Sequence, residues 1–128
     1  MDITLSVSNW PRRSCVLMLS LAAVLCIALP AQAEELTFTT AEQGGSKIWD
    51  GGGTIDGKGL VTLKVKNTLN AEHGFSIDTM KVKDVIKAGE EKIITVPVED
   101  IDKTVSEHNV YCQLHPKHGA AKIKVAGR

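Results

Sequence analysis

Cysteine is scarce. The chain has three, and two of them, Cys15 and Cys26, lie in a leader-like segment, so no disulfide framework can hold the remainder together. No long helical period, internal repeat, low-complexity linker or block of like charge runs through the sequence. A helical bundle, a repeat array, a nucleic-acid groove and a basic membrane-binding patch therefore lack support. The glycine triplet Gly51-Gly52-Gly53 has neither the Lys-Ser/Thr nor the strand-to-helix context of a phosphate loop, and reads as a flexible turn.

The leader-like segment has its own pattern. Arg12 and Arg13 precede an apolar run from Cys15 to Leu29, Pro30 breaks it, and Ala31-Gln32-Ala33 offers a small-x-small cleavage site. A signal peptide over residues 1–33 and export to the periplasm are expected, with a single domain over 34–128. The run is too short for a comfortable membrane span, although an uncleaved anchor is the alternative. No stable membrane association is expected once the leader is gone. The adjacent arginines leave twin-arginine export open, but Ser14-Cys15 after them matches that signal poorly. Removing Asp2, Arg12 and Arg13 leaves a nearly neutral domain. A domain of that size buries a modest core and often needs a metal or disulfides. Its one thiol, Cys112, is a liability in an oxidising compartment unless buried or ligated.

Beyond the leader the apolar period is two. Leu36 and Phe38 alternate with threonines, and Val61, Leu63 and Val65 with Thr62, Lys64 and Lys66. His73, Phe75 and Ile77 share one parity, as do Ile94, Val96 and Val98, and later His108, Val110 and Cys112. Ile123 and Val125 close the series. Gly44-Gly45, the glycine triplet, Asp56-Gly57 and Ala88-Gly89 sit between these runs as turns. Strands with one apolar face predict an all-β, Greek-key β-sandwich of about seven to eight strands. A short helical turn is expected within 98–107.

The chemistry concentrates in Cys112-Gln113-Leu114-His115-Pro116-Lys117-His118, between the last two predicted strands. Ligands three residues apart suit a loop folded around one ion, since a strand would send alternate side chains to opposite faces. An electron-transfer copper site takes one thiolate, two imidazoles and a weaker axial group. His115 supplies one imidazole, and His73, inward by parity, is the candidate for the second. His118 is the candidate for the fourth ligand. Zinc accepts the same donors, and an ordinary buried cysteine is the bland alternative. His108 shares the parity of Cys112 but stands about 13 Å away along a strand, so it reads as a core or neighbouring histidine. Met80, Trp49, Phe38, Phe75 and Tyr111 read as packing.

Three stretches carry a resemblance: Gly74-Phe75-Ser76-Ile77-Asp78, Val85-Ile86-Lys87-Ala88-Gly89-Glu90 and Cys112-Gln113-Leu114-His115-Pro116-Lys117. With them the domain resembles the cupredoxin family, and within it nitrosocyanin, the red copper protein. The short ligand loop is similar in length to that of amicyanin. His73 stands where nitrosocyanin has a glutamate, and Glu72 beside it is a minor candidate that strand alternation points away. His118 comes two residues earlier than nitrosocyanin's last histidine and stands where blue copper proteins have methionine. The resemblance implies one Cu(I)/Cu(II) ion held by His73, Cys112, His115 and His118. It implies one-electron transfer by a protein that is not an enzyme, with redox partners docking transiently near His115, beside Leu114 and Ala120. Copper buffering or tolerance is the alternative, though methionine- or histidine-rich tails are missing. A nitrosocyanin-like copper site that binds a small ligand is another.

Overall fold

The computed structural model describes residues 33–115 and 119–128. Pro116, Lys117, His118 and almost all of the expected leader lie outside the described residues. Among those described, the structure is built of strands: β1 (Glu34–Gln43), β2 (Ser46–Gly51), β3 (Gly53–Ile55), β4 (Val61–Lys66), β5 (His73–Ile77), β6 (Val82–Ile86), β7 (Glu91–Val96), β8 (Glu107–Val110) and β9 (Ala121–Val125). Three-residue 3-10 turns at Asp78–Met80 and Val98–Asp100 are the only helical pieces. The second falls inside the segment expected to turn. The strand number exceeds the expected seven to eight because β3, only three residues long, was read as part of a glycine turn.

One sheet has the order β2-β1-β4-β7, a second β3-β9-β8, and β5 pairs with β6. An antiparallel bridge between Ser76 and Tyr111 carries the β5–β6 hairpin onto the second sheet just past β8. Neighbours that are not consecutive in the chain, such as β1 with β4 and β3 with β9, require crossovers between the layers. That is the connectivity of a β-sandwich rather than a meander. The glycine triplet is one such crossing. Gly51, Gly52 and Gly53 all have positive φ, and a Cβ on Gly51 would overlap the Thr37 carbonyl oxygen. The triplet is thus a required sheet-to-sheet corner.

The core lies between the layers, as period-two patterning demands. Phe38, Leu63, Val65 and Val96 from the first sheet meet Phe75, Ile77, Ile86, Val110 and Ile123 from the other side. Phe38 and Trp49 each touch Phe75 edge to face with ring centroids 5.2 Å apart. Each fully buried aromatic or large aliphatic side chain contributes about 1.5–3 kcal/mol over exposure. Strand β5 departs from simple alternation, because all five of its residues are buried. Gly74 and Ser76, which alternation points to solvent, are covered by the loop that follows β8.

His108 sits within this core with no exposed surface, and its Nδ1 is 2.7 Å from Thr79 Oγ1. It lies outside the metal-ligating cluster described below, as the strand geometry anticipated. Burial holds its imidazole below the ordinary 6.5, with the Asp102 carboxylate pulling weakly the other way. The unfolded chain then takes up a proton at His108 before the native state does. Stability from the neutral ring is complete above the ordinary value and is lost as pH falls below it. Urea midpoints of the metal-free protein should decline from pH 7.5 to 5, and the decline should be shallower in His108→Gln. Equal slopes would assign the acid sensitivity to other groups.

Candidate metal centre

The donor atoms of His73, Cys112 and His115 all lie within 4.8 Å of one another. Cys112 Sγ is 4.0 Å from His73 Nδ1 and 3.5 Å from His115 Nδ1. Thiolate and imidazole bonds of roughly 2.3 and 2.0–2.1 Å put donors on one ion about 3.5–4 Å apart, so the trio matches a shared ion with little movement. The two imidazole rings lie 5.4 Å apart at 51°. His73 and Cys112 are buried at 2% exposure each, whereas His115 is exposed. Three of the four expected site residues therefore converge. Glu72 is exposed and outside the cluster, as alternation along β5 requires.

Each ligand arrives on a different kind of support. His73 is the first residue of β5, paired with Ile86 of β6. Cys112 follows Tyr111, whose N–H and carbonyl are both bonded to Ser76, at 3.0 and 2.9 Å. His115 closes a tight turn in which its N–H donates to the Cys112 carbonyl at 3.3 Å. The spacing of three residues in the motif is the length of that turn.

Several residues that the sequence reading did not single out hold these supports. Gly74 N–H donates to Cys112 Sγ at 3.2 Å, a contact that stabilises sulfur in its thiolate form. The Gly74 carbonyl accepts from Trp49 Nε1 at 2.8 Å, so Trp49 positions as well as packs, and its ring meets His73 edge to face at 6.5 Å. Asn67 is wholly buried. Its Nδ2 donates to the carbonyls of Ala71 and Ile86 at 2.7 and 3.0 Å, and its Oδ1 accepts from Leu69 N–H at 3.0 Å. It thereby ties the turn leading into His73 to the partner strand of His73. A signal for Asn67 was present: it continues the inward parity of Val61, Leu63 and Val65, and a polar residue on a core-facing parity implies a committed side chain.

One thiolate and two imidazoles form the donor set of a mononuclear copper site, soft enough for Cu(I) and nitrogen-rich enough for Cu(II). The buried pair, with a backbone N–H on sulfur and a rigid strand beneath, fits such an ion.

No protein-family model and no curated protein matches the chain. Solved structures do match. A bacterial laccase-like multi-copper oxidase from the lignin-degrading bacterium Ochrobactrum sp. aligns over 77% of this chain and 28% of its own, at 18% identity and a TM-score of 0.50. A laccase from Pediococcus acidilactici aligns over 73% of this chain and 26% of its own, at 12% identity and a TM-score of 0.49. A multicopper metallo-oxidase from Campylobacter jejuni covers 73% and 25%, at 14% identity and 0.43. The chain spans about a quarter of the length of the solved structures it matches. The likeness establishes a cupredoxin-like sandwich fold. It also corrects the expectation of a protein that is not an enzyme. The structures found are oxidases by name, and a copper site that accepts one electron from a protein can chemically accept one from a substrate.

Asn67→Ala should leave the Ala71 and Ile86 carbonyls and Leu69 N–H without their side-chain partner. The expected loss is about 2–4 kcal/mol of unfolding free energy, read by chemical denaturation, together with weaker metal binding. A loss below ~0.5 kcal/mol, within the range of ordinary surface substitutions, would show that Asn67 is incidental to the site.

Proposed function

We propose that the chain is an exported, periplasmic copper protein that exchanges single electrons through one ion held by His73, Cys112 and His115, with His118 as fourth ligand. The observation that carries this reading is the convergence of those three donor side chains, brought from two parts of the chain onto one point. Copper would supply a one-electron couple there. The chain's own residues supply the rest. Cys112 contributes a soft donor whose charge is moderated by Gly74 N–H, and His73 is fixed on a buried strand. His115, exposed beside Leu114, which is 41% exposed, offers an apolar-rimmed face at which a redox partner can dock briefly. His118 follows at a spacing that lets the loop return to the ion. As an imidazole in place of the usual thioether it would favour Cu(II), giving a lower potential and a green or red colour.

A second reading draws on the laccase-like multi-copper oxidase that shares the fold. In it the same ion takes the electron from a small reducing substrate docked at the His115 face, and the chain acts as part of an oxidising enzyme. Turnover of a reducing substrate under air, set against electron exchange with a small redox protein, separates the two.

Copper-loaded protein should show an intense visible thiolate-to-copper band, which zinc would not give. Cys112→Ser should abolish the band and remove the thermal stabilisation that copper confers, since binding to the native state is lost. Retained colour in that variant would overturn the site. In the same series His118→Met should raise the potential and move intensity toward the blue band. An unchanged spectrum would remove His118 from the ligand set while leaving the other three.

A further inference from the structure

Gln113 stands between two of the proposed ligands and is not itself one of them. Its amide is committed at both ends. Oε1 accepts from Ser76 Oγ at 2.8 Å, and Nε2 donates to the Asp84 carbonyl at 2.8 Å. Ser76 belongs to β5 and Asp84 to β6, so the amide spans the hairpin that presents His73. Beneath it lies Gly74. A Cβ built on Gly74 would overlap Oε1 and Cδ of Gln113. The φ of Gly74 is not among the positive values, so space rather than conformation demands glycine there. The Gln113 side chain lies where a side chain of residue 74 would be.

Gly74 is also the residue whose N–H reaches Cys112 Sγ, at 3.2 Å. Tyr111 is pinned to Ser76 on one side of Cys112 by two backbone bonds, and Gln113 is pinned to the same hairpin on the other. The sulfur is therefore held against Gly74 N–H from both neighbours in the chain.

We propose that Gln113 is a positioning residue: by interlocking with Gly74 it fixes the N–H···S hydrogen bond on Cys112 and thereby raises the reduction potential of the bound ion. This rests on the copper reading above. A donor on the thiolate withdraws charge from sulfur and favours the reduced ion, whose lower charge needs less donation. Releasing the amide lets the loop lift, lengthens the hydrogen bond and favours the oxidised ion.

The test has a metal-free arm and a copper arm. In apo-protein, Gly74→Ala should lower the unfolding equilibrium constant at least tenfold more with Gln113 present than in the Gln113→Ala background, where the overlapping atoms are gone. If Gly74→Ala fails to fold alone, recovery of folding in the double variant reports the same coupling. Failure in both backgrounds, or additive effects, overturns the interlock. In the copper arm, Gln113→Ala and Gln113→Met, the latter keeping length without hydrogen bonds, should still bind copper and keep the thiolate band. Their ratio of Cu(I) to Cu(II) affinity should fall about tenfold, a drop of ~59 mV for one electron. An unchanged potential in both variants overturns the positioning role even if the interlock stands. Failure of the copper reading looks different: wild-type protein takes up no copper, or Cys112→Ser keeps the colour, and the inference about potential falls with it while the apo coupling is still measured.

Discussion

Two backbone hydrogen bonds, one in each direction between Ser76 and Tyr111, join the β5–β6 hairpin to the sheet whose loop carries Cys112. His73 comes from the hairpin, and Cys112 comes from 39 residues later in the chain, so their meeting depends on this single pairing being in register. A slip of one residue would send every second side chain to the opposite face and separate the imidazole from the thiol. The register is guarded from both sides of β5. Phe75 and Ile77 are locked in the core on one face, and Gln113 covers Gly74 and Ser76 on the other. A bridge of two bonds suffices because it is enclosed.

The buried polar groups act less as sources of stability than as rulers. Asn67, Trp49, Ser76 and Gln113 each bond to backbone or to one another across element boundaries, and each contact lies within a few residues of His73 or Cys112. Charge plays a smaller part in placing the cluster. The ion pairs among the described residues, such as Lys81 with Asp100 and Lys122 with Glu107, are solvent-accessible, where such pairs contribute about 0–1 kcal/mol. Geometry set by neutral, enclosed hydrogen bonds changes little with salt, because screening acts on exposed charge.

The sequence disclosed most of what depends on alternation and on ligand chemistry. Inward parity at His108, Val110 and Cys112 agrees with the burial seen along β8 and into the loop, and His73, Cys112 and His115 converge. What escaped it depends on contacts between distant segments. Gly74 reads as an ordinary strand glycine until Gln113 is placed over it. Asn67 reads as a turn residue until Ala71 and Ile86 are seen around it. The glycine triplet, read as slack, is a corner where Thr37 leaves no room for a side chain. Strand number was understated for a related reason, since three paired residues beside a glycine run carry too little periodicity to stand out.

His73 is enclosed by the core while His115 is open to solvent, and this gives the cluster a direction. An incoming ion has one side from which to approach, across the loop, and the deep imidazole and sulfur await it on preformed supports. The outer imidazole is carried by a short turn, the part of the cluster that can adjust at least cost. Capture would proceed inward and close with His115, and release would begin there. Exchange of metal between this protein and any donor or chelator should then be governed by the outer turn, with the sandwich behind it as a passive mould.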